Sequence, residues 1–297
     1  MPAAQIIQPR MTIYLDTMLW NELCDQDADA AVLVSALSAQ RKVLVLGAEA
    51  IYEMAKTFKS NPNRGKELFR CLKKFADLGI PGVKDNPMLL LAEADAAMSG
   101  TKADVEVFWN AVNDARMRKE IDKLSTGIVD AKAAEFIESR TKLAATERVG
   151  IASHYAGPSA LKSRLSQVSP TELPKWISKE AQRSGRFILR QHLAKLLPGG
   201  QPRQIAIAAK RLLTSQRFRL SQAVVRADLY GNWRAANSGS MPRDLLPDLD
   251  HVVTASYFDI YATKETAQAR YAPLVFGKTK AGIYDGKLPI SRWLESL

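Results

Sequence analysis

The sequence predicts an α/β fold, a parallel sheet built from both ends of the chain and interrupted by a long all-helical insertion. Three observations predict it. Short apolar, β-branched runs alternate with helical patterns over 10–86. Strand signals then vanish over 87–237, where helical patterns follow one another. The α/β texture returns over 238–297. Strands alternating with helices at this spacing argue for βαβ units and parallel pairing. The expected organisation is one domain in two pieces, 10–86 and 238–297, around an insertion of 87–237.

The first run, Met11–Leu15, is nearly continuous in apolar residues and too short for a helix, so it reads as a buried strand ending at Asp16. Over 29–40, Val32, Leu33, Ala36 and Leu37 have helical spacing. A second buried strand is expected over 42–46. It is followed after Gly47 by a helix with Ile51, Met54, Ala55 and Phe58 on one face. Asn61-Pro62-Asn63-Arg64-Gly65 breaks that helix, another runs over 66–75, and 78–83 resembles a short strand or edge connection. Helical patterns are expected over 89–98, 103–124, 128–149, 171–197, 205–213 and 216–233, several of them separated by Gly- and Pro-rich loops. In the last section a short helix is expected over 249–257, a strand over 259–263 and a terminal helix over 290–297.

Charge is regional. The chain carries +11, but between Pro158 and Arg226 fourteen Lys and Arg stand against Glu172 and Glu180 alone, which places +12 there and about −1 elsewhere. Such a field points to a polyanionic partner rather than to a general solubility device. Arg183, Arg186, Arg190, Lys210, Arg211, Arg217 and Arg219 are the candidate phosphate contacts, interleaved with Trp176, Phe187 and Phe218. Solvated charged faces on amphipathic helices are the plain alternative, with the aromatics as core residues. No apolar stretch approaches the roughly 20 residues that cross a bilayer, so a membrane role is not expected. The N-terminus lacks the apolar run of a signal peptide. Cys24 and Cys71 lack metal-type spacing and read as buried structural thiols, from which a reducing, cytoplasmic setting is expected.

Four acids sit where a parallel sheet would gather them. Asp16 ends the first strand, Glu53 lies one to two turns into the helix after the second, Asp248 precedes the helix around His251, and Glu265 follows the strand ending at Thr263. Ligands of open parallel sheets collect at the carboxyl ends of the strands. Carboxylates converging there repel one another unless a cation compensates, and oxygen ligands of this kind suit Mg²⁺ or Mn²⁺. Each acid has a plain alternative: Asp16 as a helix cap, Glu53 as a solvated helix residue, Asp248 or Asp250 as an N-cap, Glu265 as a first-turn acid.

The segments IYLDT (13–17), GAEAIYEMAK (47–56) and DLDHVVTASYFDIYATKE (248–265) resemble the three sequence blocks of PIN-domain ribonucleases. The resemblance covers residues 10–85 and 240–297, about half the chain. It implies a Rossmann-like parallel sheet and hydrolysis of phosphodiesters, usually in RNA, with divalent metal held by three or four acids. By position it makes Asp16, Glu53 and Asp248 the catalytic acids and metal ligands. Asp250 competes for the third place, and Glu265 stands where the family usually has Asp. If Lys264 holds that place instead, a cation enters the site. The insertion is a second departure from this compact family. His251 is expected to be structural, and Thr17 and Asn21 to support the acids by hydrogen bonds, with a surface position the equal alternative for Asn21; His154 and His192 form no cluster.

The resemblance therefore implies a Mg²⁺- or Mn²⁺-dependent endoribonuclease. By association it adds a toxin–antitoxin or defence setting, an inhibitory protein partner and a homo-oligomer. Two alternatives stand beside it: a catalytically degenerate PIN-fold RNA-binding or scaffold protein, and a DNA-directed nuclease of the same chemistry.

Overall fold

A computed structural model of the chain describes residues 11–100, 105–135, 138, 164–238, 245–276 and 279–297. Its sheet has five strands in the order β3-β2-β1-β4-β5, and every pairing is parallel. The strands are β1 (Met11–Leu15), β2 (Lys42–Gly47), β3 (Gly82–Val83), β4 (Ile260–Thr263) and β5 (Lys280–Ile283). The centre of the sheet joins the two ends of the chain: Tyr14 on β1 is in register with Val45 on β2 and Tyr261 on β4. The α/β class and the division of the sheet between the two ends are as the sequence predicts.

The first piece carries α1 (Thr17–Asp25), α2 (Ala30–Ala39), α3 (Ala48–Ser60) and α4 (Pro62–Asp77). The stretch between β3 and β4 carries α5 (Asn86–Ser99), α6 (Ala111–Thr126), α7 (Leu173–Leu196), α8 (Pro202–Thr214), α9 (Arg219–Ser238) and α10 (Leu245–Ala255). After β4 come α11 (Thr266–Val275) and, past β5, α12 (Ile290–Ser296).

Alternation along the strands sorts the core into two layers. Ile13, Leu15, Leu44, Leu46, Ile260 and Ala262 face α1 to α4, α6 and α12. Tyr14, Val45, Val83 and Tyr261 face the other way, into one cluster with α5, α7 to α11. The described part of the helical stretch is therefore packed on the sheet rather than set apart as a lobe. Most of it covers one face of the sheet, while α6 crosses to the opposite layer, where Ile121 and Leu124 join the packing.

Several local expectations need correction. The helix expected over 103–124 begins only at Ala111; Phe108 instead bridges to Val83 in extended conformation, held by Trp109 N–H to Gly82 O at 2.9 Å. The helix around His251 begins at Leu245, so Asp248 and Asp250 lie inside it and neither is its N-cap. Pro247 in the first turn explains why: proline is tolerated where no intrahelical N–H is needed. β5 and α11 were not expected. KAGI has no apolar run, and α11 carries Pro273 inside it. Cys24 and Cys71 are not isolated thiols. Their Cα atoms lie 5.6 Å apart and they pair as a disulfide between α1 and α4, which removes the free thiols from which a reducing setting was inferred. The helix expected over 128–149 falls largely outside the described residues, as does His154. Among the described residues no helix is long and apolar enough to cross a membrane.

Candidate active site

Asp16 leaves the carboxyl end of β1 and turns at once into α1. Its Oδ1 accepts the Leu19 N–H at 2.8 Å, capping the helix, and its Oδ2 accepts the Thr263 hydroxyl from β4 at 2.5 Å. The helix-cap reading of Asp16 is therefore met. Asp16 is 2% exposed. Burial pushes its carboxyl up to about 6, against the lowering effect of the Thr263 and Leu19 hydrogen bonds and the His251 charge, with Glu265 repelling it further. Thr263 also accepts the Glu265 backbone N–H at 3.0 Å, which sets Glu265 beside Asp16. Lys264 points away and pairs with Glu22 at 2.7 Å. The cation is not in the acid cluster, and the charge that faces Asp16 belongs to Glu265.

Glu53 lies on the second turn of α3. Its Oε2 accepts the Thr17 hydroxyl at 2.5 Å and lies 3.1 Å from His251 Nε2. His251 Nδ1 is 2.9 Å from the Tyr14 hydroxyl, so both ring nitrogens are engaged in a buried position. Tyr14 reaches it because Gly47 lacks a side chain: a Cβ there would lie within 3 Å of the Tyr14 ring. Burial alone would hold His251 neutral, but the Glu53 charge and hydrogen bond, helped by Asp16 and Glu49, raise it to about 9. Burial likewise pushes Glu53 up, yet the His251 charge and the bonds from His251 and Thr17 outweigh it and bring Glu53 to about 2. The pair is an imidazolium and a carboxylate. Thr17 supports the acid as expected, whereas Asn21 Oδ1 is buried without a hydrogen-bond partner among the described residues.

The remaining candidates divide. Asp248, half-buried, adds its charge to the surroundings of Tyr261 and Tyr271, both raised first by burial; Asp16 also acts on Tyr261, and Glu265 on Tyr271. Asp250 faces the other side of α10, where Asn86 Nδ2 donates to its Oδ1 at 3.2 Å and to its carbonyl at 3.0 Å. It lines a cavity of about 410 Å³ together with Glu49 and Glu53. Two residues near the acids were missed. Glu49, buried in the first turn of α3, sits one helical turn before Glu53; that spacing was its only signal in the sequence. Tyr14 was read as core and is also the partner of His251.

The donor set suits a hard divalent cation in kind, because carboxylate oxygens are the ligands such an ion prefers. Among the described residues, however, no three His, Cys, Asp or Glu side chains stand close enough to enclose a metal ion. The His251 imidazolium supplies the compensating charge between Asp16 and Glu53.

On α7, Lys175, Lys179, Arg183, Arg186 and Arg190 are all exposed and fall within roughly 80° of helix surface, a stripe about 22 Å long. Phe187, 63% exposed, stands next to it. The other basic candidates differ. Lys210 is exposed, but Arg211 donates to the carbonyls of Ala97 and Met98 at 2.8 and 3.0 Å, closing the end of α5. Arg219 reaches the Tyr257 carbonyl at 3.4 Å, and Arg217 lies 4.6 Å over the Phe218 ring.

Fold and site together define an α/β protein with a carboxylate–histidine cluster at the carboxyl edge of a five-stranded parallel sheet. No protein-family model matches the chain, and neither does any curated protein or solved structure.

Proposed function

We propose that the protein is a PIN-type, metal-dependent nuclease that hydrolyses phosphodiester bonds in RNA. The observation that carries the reading is that buried His251, bonded to Glu53 of α3, also acts on Asp16 at the end of β1, which Glu265 after β4 repels in turn, so acids from three distant segments lie near the carboxyl ends of the strands. Carboxylates are gathered at such cost where their charge is used. To hold Mg²⁺ or Mn²⁺, Asp16, Glu53 and Glu265 would have to close in from their present spacing, with Asp248 and Asp250 as the further acids on either side of α10. Such an ion, when bound, supplies Lewis-acid polarisation of the phosphate and an acidified water. The chain supplies the rest. Thr263 and the Leu19 N–H orient Asp16, Thr17 orients Glu53, and His251 holds the proton that balances the cluster before an ion enters. The basic stripe on α7 offers phosphate contacts along a strand, with Phe187 as a stacking surface.

Asp16→Asn keeps an acceptor for the Leu19 N–H, so the variant should fold, while cleavage of RNA in Mg²⁺ or Mn²⁺ falls about a hundredfold or more. Cleavage at the unaltered rate would remove Asp16 from the mechanism. Digesting DNA of the same sequence in parallel assigns the sugar preference.

One observation favours a second reading, a PIN-like RNA-binding scaffold: the His251–Glu53 bond occupies an acid that a metal would need. Calorimetric titration with Mn²⁺ separates the two. Stoichiometric binding that disappears in Glu53→Gln supports the nuclease, and absence of binding in both proteins supports the scaffold.

A further inference from the structure

The cavity of about 410 Å³ that Glu53 shares with the acid cluster is built by helices from both parts of the chain. Its volume lies within the roughly 300–1,000 Å³ of small-molecule sites. On the first wall, α3 turns one face inward at helical spacing: Glu49, Tyr52, Glu53 and Lys56. On the opposite wall, α9 does the same with Val224, Ala227, Asp228 and Gly231. The small Ala227 and Gly231 leave the space that a larger pair would fill. Leu90, Leu246, Leu249 and Val253 make an apolar floor, and α7 closes the end with His192 and Lys195.

We propose that this cavity binds one unstacked nucleotide of the strand being processed, an inference that rests on the nucleic-acid reading of the adjoining acids. The chemistry of the walls matches the parts of a nucleotide. The apolar floor and the Tyr52 ring suit a flat base. Asp228 and Asp250 are acceptors for the amino groups on the edges of adenine, guanine or cytosine. Lys56 and Lys195 are the cations for its phosphate. Lys195 makes no ion pair among the described residues, and it extends from the helix whose outer face carries the basic stripe. Lys195 lies on the cavity side of α7, turned away from the basic stripe, and a phosphate held by Lys56 lies one helical turn from Glu53. A base paired inside a duplex cannot enter, so the favoured substrate is an unpaired strand.

The test is binding of the four ribonucleoside 5′-monophosphates to the full chain in EDTA, by calorimetry, with ribose 5-phosphate and inorganic phosphate as controls. The amino-bearing nucleotides should bind more tightly than UMP, and ribose 5-phosphate should bind weakly or not at all. Ala227→Leu, which fills the cavity, and Lys195→Ala, a surface change that leaves the fold intact, should each weaken binding about tenfold or more. The proposal is overturned if no nucleotide binds, if ribose 5-phosphate binds as well as the nucleotides, or if Lys195→Ala binds unchanged. Because no metal is present, the outcome is separable from the nuclease reading. Nucleotide binding by a protein that cleaves nothing sinks only that reading, and cleavage by a protein that binds no nucleotide sinks only the cavity.

Discussion

At the scale of the residue, His251 carries a lesson about what spacing conceals. Its place on an apolar helix near the core favours a structural role, and structural it is, yet its ring nitrogens join Tyr14 of β1 to Glu53 of α3. Nothing local to His251 indicates either partner, since both lie about 200 or more residues away. The pair sets a pH dependence. With its pKa raised to about 9, His251 contributes stability that is complete below the ordinary histidine value of 6.5 and is lost as pH rises through 9. Glu53, held near 2, contributes stability present above its ordinary 4.5 and lost as pH falls through 2. Asp16, raised to about 6, works in the opposite sense to Glu53: its contribution is full below 3.8 and is lost as pH rises through 6. In EDTA the melting temperature should therefore fall between pH 6.5 and 10, by the equivalent of roughly 3 kcal/mol for the histidine. His251→Gln should flatten that alkaline limb; an unchanged slope in the variant would show that the imidazole carries no proton there.

Elements differ in how much of themselves they disclose. β1, β2 and β4 were legible because MTIYL, KVLVL and IYAT are apolar runs whose burial on both faces needs no alternation. β5 was not, because its pattern of exposure lets Lys280, Ala281, Gly282 and Ile283 pair as an edge strand with little side-chain signal. The start of α9 illustrates a cap that no local motif encodes. Glu93, 0% exposed on α5, accepts the N–H groups of Leu220 and Ser221 at 2.9 and 2.8 Å, and also the hydroxyls of Ser221 and Tyr257. Burial raises its carboxyl against the lowering effect of those donors. Glu93→Ala should cost about 3 kcal/mol or more, because four donors lose their acceptor in a buried place. Chemical denaturation measures it, and a loss under about 1 kcal/mol would mean that water replaces the carboxylate.

For the whole molecule, the basic excess resolves into positions with different duties. Arg211 and Arg219 spend donors on backbone carbonyls within the fold, whereas Arg183, Arg186 and Arg190 line up on the exposed face of α7. Replacing those three with Ala should weaken binding of single-stranded RNA and reduce the slope of log K against log salt by about 2. A salt titration that gives the original slope would move the contact surface off α7.

The sequence by itself determined the α/β class, the strands at both ends of the chain, the regional charge and the acids at strand exits. Hydrophobic period and residue type are local properties, readable wherever they occur. Only the tertiary structure decided that Glu265 rather than Lys264 faces Asp16, that Asp248 and Asp250 lie on opposite sides of one helix, and that the inserted helices cover the sheet and wall a cavity beside the acids. Each of these depends on which way a side chain turns once distant segments pack together. That orientation is a property of the packed layers, not of any single segment.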